Sequence, residues 1–370
     1  MKPESEADLA EAIKGARGPL QVRGGGTRGT GAPLGEVVET GGMTGITLYE
    51  PGALTVVVRT GTPLAEVEDA LAAENQRLPF EPMDHRPLLG TNGTPTIGGV
   101  VAANVSGPRR VQAGACRDFM LGVRFVDGSG QIVKNGGRVM KNVTGYDLVK
   151  LMTGSRGTLG VLTEVSLKVL PRPETQACVM LEGLDDAQAV AAMARALGSP
   201  FEVTGAAHLP SGDGGQPVTL LRIEGFEKSV AYRADRLRAL FDGHAVRIEE
   251  DAGAVADRWA SVRDVTAFAG RDGDVWRISC KPSDGPALAA RLGAEAHHFD
   301  WGGGLIWALL PSGTDARARL GAFRGHATRV RGMGDAPAIQ PEPAPLAALS
   351  DGLRARFDPR GILNPGLMTA

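Results

Sequence analysis

Residues 23 to 31 read R-G-G-G-T-R-G-T-G, five glycines and two arginines directly after the apolar stretch Pro19-Leu20-Gln21-Val22. Bare backbone N–H groups beside guanidinium cations suit an anion, because both donate to phosphate or carboxylate oxygens. The spacing Gly24-x-Gly26-x-x-Gly29 matches the dinucleotide fingerprint. That fingerprint must open a helix whose N-terminus carries a pyrophosphate. Here the chain continues G-T-G-A-P-L-G-E-V-V, where further glycines and Pro33 work against a helix. No acidic residue follows at ribose-binding spacing after a clean second strand. A Rossmann site is therefore not expected. What remains is a loop able to wrap a diphosphate without a helix, each charge-assisted bond contributing about 1.5–3 kcal/mol.

Two further clusters carry the same texture. G-T-P-T-I-G-G-V-V-A-A-N-V-S-G (93–107) combines small residues with apolar positions that read as strand. The other runs K-N-V-T-G-Y-D-L-V-K-L-M-T-G-S-R-G-T-L-G-V-L-T-E-V-S-L-K-V-L-P (141–171). Other chemistry is poorly supplied. Of six histidines only His297 and His298 adjoin, and neighbours on a strand point to opposite faces, so no metal site is expected there. No Ser/His/Asp order or H-E-x-x-H run supports hydrolytic or zinc chemistry. Arg28, Arg109 and Arg110 are candidates for bidentate carboxylate recognition. Their plainer roles are phosphate contact for Arg28 and a solvated surface for the other two.

Bulk numbers narrow the classes. The chain has 370 residues with 40 basic and 42 acidic side chains, a balance that favours neither nucleic acid nor an anionic membrane. Cys116, Cys178 and Cys280 form no close pair, so neither a disulfide framework nor an iron–sulfur motif is present, and a reducing cytoplasm is expected. The polar start M-K-P-E-S-E-A is not a signal peptide, and no apolar run approaches the roughly 20 residues of a membrane span. The 52 glycines are about twice the usual share of roughly 7%, and they cluster, which marks backbone approaching something closely.

The elements that must position these loops follow from periodicity. A helix is expected over 5–16, strands over 20–23, 36–39, 46–49 and 54–60, and a helix from Pro63 to about Glu74. A hairpin around Gly128 and Gly130, a helix over 146–153 and a strand over 161–170 follow. Beyond Pro173 the order is strand, helix, strand, strand, helix, strand, with a looser second copy from Val275 to Val330. Such split β-α-β units make an antiparallel sheet with helices on one face. Residues 335–346 read as a proline-rich linker before a last helix over 347–357 and the tail D-P-R-G-I-L-N-P-G. The fold class is α+β, divided as 1–172, 173–334 and 335–370.

With the T-I-G-G, G-Y-D-L and G-T-L-G-V-L-T-E signatures in order, and that tail, the chain resembles the vanillyl-alcohol-oxidase or p-cresol-methylhydroxylase (PCMH) type FAD-binding family. The resemblance covers 1–172 and 347–370 strongly. It implies a two-part PCMH-type FAD-binding domain, a ferredoxin-like α+β cap, and a C-terminal segment that returns to the first domain. It implies that Gly24, Gly25, Gly26, Thr27, Arg28 and Gly29 wrap the FAD pyrophosphate. Thr94, Pro95, Thr96, Gly98 and Asn104 would line the ribityl chain and flavin. Gly157, Thr158, Gly160, Val161 and Leu162 would approach the adenine and ribose.

The chain departs from the family at three points. Thr27 stands where a linking histidine would sit, so the expected FAD is non-covalent. Arg156 reverses the charge of the G-S-E-G-T-L-G run common in its 2-hydroxy-acid dehydrogenases. The H-x-G-D-G-N-x-H run is absent. These departures, and M-K-N-V-T-G-Y-D-L-V-K-L-M (140–152), are similar to the branch of bacterial glycolate oxidase FAD-binding subunits. That resemblance implies glycolate oxidation to glyoxylate within a complex containing a larger homologous flavoprotein and an iron–sulfur subunit. Such a complex would be cytoplasmic, or at the inner face of the membrane through its partners. A self-sufficient 2-hydroxy-acid dehydrogenase and a non-catalytic, flavin-stabilised scaffold are the alternatives. No catalytic residue is assigned.

Overall fold

Ser5 opens the first helix, α1 (Glu6–Gly15), with a reciprocal cap: its hydroxyl accepts from the Asp8 N–H, and Asp8 accepts from the Ser5 N–H. Leu9 and Ile13, one turn apart, are fully buried, so the helix is held by its apolar stripe as well as its cap. A computed structural model describes residues 1–28, 34–139 and 145–368. Gly29 and the M-K-N-V-T part of the 140–152 run lie outside the described residues.

Two compact units divide the chain, one of Met1–Ser106, Gly114–Arg172 and Pro341–Ala370, the other of Gly107–Ala113 and Pro173–Gln340. Relative to the expected division, residues 107–113 and 335–340 count with the second unit.

In the first unit, β1 (Leu20–Arg23) pairs in parallel with β2 (Glu36–Glu39). β3 (Ile46–Glu50) and β4 (Thr55–Arg59) begin an antiparallel sheet. α2 (Leu64–Ala73) buries Leu64, Val67 and Leu71. β5 (Gln76–Arg77), α3 (Arg86–Leu89) and α4 (Ile97–Ala102) follow, then α5 (Arg110–Ala113), which counts with the second unit. β6 (Met120–Val126), β7 (Ile132–Gly136), α6 (Leu148–Met152), β8 (Val161–Lys168) and β9 (Leu170–Pro171) complete this part. The five-stranded sheet has the order β3-β4-β8-β6-β7.

One expectation is corrected here. T-I-G-G-V-V-A reads as strand but forms α4. The Thr96 hydroxyl accepts from the Gly99 N–H, and Ile97, Val100 and Val101 are buried at helical spacing. A local cap and tertiary burial override the β-propensity of isoleucine and valine.

The second unit is a duplication. Its first copy runs β10 (Thr175–Glu182), α7 (Asp186–Leu197), β11 (Gly205–Leu209), β12 (Val218–Gly225), α8 (Glu227–Leu240) and β13 (Val246–Glu249). After α9 (Ala252–Arg263), the second copy runs β14 (Asp274–Cys280), α10 (Gly285–Leu292), β15 (Ala296–Asp300), β16 (Leu305–Leu310), α11 (Ala316–Leu320) and β17 (Gly325–Arg331). The strand order β13-β10-β12-β11-β15-β16-β14-β17 places the copies edge to edge in mirrored order, joined antiparallel through His208 and Phe299. The second copy is complete rather than loose. Val179, Leu221, Trp276, Ile278 and Ile306 meet Met193, Leu237, Leu288 and Leu320 of the helices in one core. α9, which the periodicity reading omits, covers Cys178, Met180 and Leu220 on the opposite face with Val255, Trp259 and Val262.

The last helix, α12 (Ala344–Phe357), leads into a tail folded onto the first unit. Asp358 accepts from the Leu363 N–H at 2.7 Å, and Leu20 bridges Leu363 in parallel. Arg360 donates to the carbonyls of Ile13, Ala16 and Gly128.

Candidate functional site

The end of β1, the segment before α4 and the turn before β8 converge in the first unit, and the tail ties them together. Thr91 donates to the Thr27 carbonyl at 3.0 Å, linking the first loop to the second. Gly25 packs so tightly on this segment that a Cβ there would overlap the Thr94 carbonyl, and one on Gly24 would lie 2.7 Å from Thr96 Oγ1. Gly25 is thus bare for loop-on-loop packing, which sequence alone had no means to separate from ligand approach. Asn364 makes the second link. Its Oδ1 accepts from the Val22 N–H at 2.7 Å, and its Nδ2 donates to the Arg156 carbonyl at 2.8 Å. Gly157 has φ +74°, and a Cβ there would lie 2.9 Å from Asn364 Nδ2, so glycine is required on both counts.

The other expected residues have distinct settings. Gly98 packs against Thr60, and Pro95 accepts from the Leu64 N–H at 2.8 Å. Asn104 adopts φ +50° and its Oδ1 accepts from the Arg117 N–H at 3.0 Å, so its carboxamide serves the chain itself. The Thr158 hydroxyl donates to the Ser155 carbonyl at 2.7 Å, and Gly160 packs against Phe125. Val161 and Leu162 are buried side chains of β8.

Charge is the distinctive feature of this place. Arg28 keeps some exposure along its length, but its Nη1 is sealed from solvent without a hydrogen-bond partner among the described residues. Its Nη2 lies against Gly99, 2.9 Å from where a Cβ would stand. Burial, and then the charge of Arg156, push the Arg28 guanidinium down to about 10. Burial also lowers Arg156. His85 is pushed down to about 3 by burial and then by Arg28, so its ring is neutral. Its Nδ1 lies 3.2 Å from the Met83 carbonyl, and a carbonyl only accepts, so the proton sits on Nδ1 and Nε2 is the bare acceptor. Burial pushes the Cys116 thiol up, keeping it protonated beside these cations. Two guanidiniums with no paired carboxylate among the described residues fit an anionic cofactor such as the FAD diphosphate. Arg156, His85 and Asn364 were outside the expected contact set. The reversed charge in G-S-R-G and the tail motif were their only sequence signals.

The remaining candidates belong to the second unit. Arg109 is no surface residue: it is buried in an ion pair with Glu224, with Arg222 3.8 Å from the same carboxylate. Arg110 stacks on Trp301 at 4.4 Å, with Arg277 over the same indole at 4.9 Å. The Trp301 indole donates to the Gly107 carbonyl at 3.0 Å, which draws the 107–113 segment into this unit. His297 and His298 do face opposite ways. His297 Nε2 meets Asp186 at 2.8 Å, while His298, pushed down to about 3 by burial, packs against Phe268. Among the described residues no group of three or more His, Cys, Asp or Glu side chains is arranged to hold a metal.

Residues 1–136 match the family described as FAD binding domain. The chain is 37% identical to glycolate oxidase subunit GlcE of Escherichia coli over 95% of its own length and 93% of that protein. It is 33% identical to glycolate oxidase subunit GlcD of Bacillus subtilis, over 43% of this chain and 33% of that one. The solved structure of an alkyldihydroxyacetonephosphate synthase superposes with a TM-score of 0.72 at 16% identity, covering 99% of this chain and 76% of that one. That likeness is one of fold.

Proposed function

Because the chain belongs to the FAD-binding oxidoreductase family of glycolate oxidase subunit GlcE, we propose that it is the FAD-binding subunit of a glycolate-oxidising complex. FAD is its cofactor and oxidoreduction its chemistry. The substrate is glycolate, oxidised to glyoxylate, with the electrons passed to an acceptor. One observation carries this reading: the likeness to GlcE runs end to end, through the duplicated second unit as well as the FAD domain. A shared cofactor domain alone would give only a partial match, as the likeness to GlcD over 43% of this chain does.

Within this reading the first unit holds non-covalent FAD through the loops at 24–29, 94–104 and 157–162, with Arg28 beside them. The bound flavin supplies hydride chemistry, and the chain supplies orientation and electrostatics. The assembly contains a larger homologous flavoprotein and an iron–sulfur subunit. Three dispersed cysteines give this chain no cluster motif for relaying electrons, which supports a separate iron–sulfur chain. Its place is the cytoplasm, or the inner membrane face through its partners. Among the described residues no helix is long and apolar enough to cross a membrane.

A second reading, a self-sufficient 2-hydroxy-acid dehydrogenase, is favoured by one feature: the Arg110 and Arg277 guanidiniums stacked on Trp301 suit a carboxylate. Anaerobic mixing with glycolate separates the two. The isolated chain should retain oxidised flavin and reduce dye weakly, with activity restored by the two partner subunits. Rapid bleaching of the pure chain would replace the first reading with the second. Acid precipitation tests attachment: all yellow colour should leave with the supernatant, and colour in the pellet would refute non-covalent binding.

A further inference from the structure

We propose that Arg28 and Arg156 together form a two-guanidinium receptor for the diphosphate of FAD, making Arg156 a cofactor-binding residue. This deepens the FAD assignment above and rests on it. Arg28 is carried on the glycine loop after β1, and its Nη1 is buried with no hydrogen-bond partner among the described residues. Arg156 comes from the turn before β8, some 130 residues later, and its charge acts on Arg28. No carboxylate among the described residues pairs with either one. Two like charges forced into one protein-lined place repel, and burying an uncompensated charge costs several kcal/mol. A fold keeps such a pair when a ligand supplies the opposite charge, and a diphosphate carries two.

The backbone arrangement agrees. Arg156 has φ +55°, a left-handed conformation uncommon outside glycine, and its carbonyl is held by Asn364 Nδ2. Asn364 grips Val22 at the same time, so the tail sets the turn bearing Arg156 against the strand that leads to Arg28. Thr96 and Gly99 lie beside the Arg28 loop and complete a polar, small-residue wall. A guanidinium offers paired donors to phosphate oxygens, and one such charge-assisted contact is worth roughly tenfold to a hundredfold in affinity.

The test uses the full chain stripped of flavin. FAD affinity is titrated for wild type, Arg28→Gln, Arg156→Gln and Arg156→Lys across a salt series. Each glutamine variant should bind FAD at least tenfold more weakly with a shallower salt dependence, and Arg156→Lys should recover most of the loss. Inorganic pyrophosphate should raise the thermal midpoint of the wild-type apoprotein and leave that of Arg28→Gln/Arg156→Gln unmoved. Riboflavin, which lacks the diphosphate, should bind all four proteins alike. Unchanged FAD affinity in a folded Arg156→Gln would overturn the proposal, as would riboflavin binding that falls in step with FAD. Failure of the wild type to bind FAD at all would instead overturn the cofactor assignment beneath it.

Discussion

Buried arginines in the two units are treated in opposite ways. In the second unit Arg109 lies against Glu224, and Arg233 donates to the Glu224 carbonyl at 2.7 Å and to the Phe201 carbonyl at 3.3 Å. Arg109 and Arg233 there both meet oxygen supplied by the chain. In the first unit Arg28 ends on a sealed Nη1 with no partner among the described residues, and its charged neighbour is another arginine. Buried ions persist when something neutralises them. An arginine paired within the protein therefore belongs to the scaffold, and the proposed diphosphate would neutralise one that finds no partner among the described residues.

The largest effect expected from breaking this contrast is at Gly25. A ligand-facing glycine would accept alanine in the apoprotein, whereas Gly25→Ala forces a Cβ into the Thr94 carbonyl. Its cost is expected above about 4 kcal/mol, in the range reserved for enforced backbone rearrangement. Gly52→Ala, which meets nothing within 4 Å, should stay within about 0.5 kcal/mol. Urea unfolding of the apoproteins compares them, and equal midpoints would show that Gly25 is bare for the ligand alone.

Next comes the paired arginine. Glu224→Gln removes the buried carboxylate that Arg109 and Arg222 face, so a loss of about 3–5 kcal/mol is expected, with flavin content per folded molecule unchanged. A loss below about 1 kcal/mol would remove the ion pair from the scaffold.

The unpaired arginine should behave in reverse. Arg28→Met removes a charge that the apoprotein does not neutralise, so apoprotein stability should hold or rise by about 1 kcal/mol while FAD retention falls. A drop of more than about 2 kcal/mol in the apoprotein would mean that the chain itself satisfies Arg28, and the contrast between the units would collapse.

A pH-dependent effect concerns the seam of the duplicated sheet. Burial alone would raise the Asp186 carboxyl, but the hydrogen bond from His297 and the His208 imidazole 3.5 Å away outweigh it and hold the group well below the usual carboxylate range. A depressed carboxylate contributes stability that is complete above its unfolded value near 4 and is lost as pH falls through the folded value. Wild type should therefore lose about 1–2 kcal/mol more than Asp186→Asn between pH 6 and about pH 2. Parallel acid profiles for the two proteins would remove Asp186 from the seam.

Local signals made much of this legible. Ser5 with Leu9 and Ile13 announces α1, alternating V-L-T-E-V-S-L-K announces β8, and the strand–helix rhythm beyond Pro173 announces a duplicated antiparallel sheet. These are readable because capping and periodicity act over a few residues. α4 was misread as strand because its deciding contacts, the burial of Ile97 and Val101, come from distant segments. Arg109 was misread as surface for the same reason, since Glu224 lies 115 residues away.

The sequence by itself determined the fold class, the FAD-binding family and the three loops that meet, since motif order and residue type are properties of the chain alone. Tertiary structure alone decided which arginines the chain pairs and which find no partner among the described residues. It also decided that Gly25 is bare for its own neighbouring loop and that Asn364 binds β1 to the turn of Arg156. The physical reason is that pairing and desolvation of a charge depend on which distant groups the fold carries to within a few ångströms of it, and local spacing holds no record of that distance.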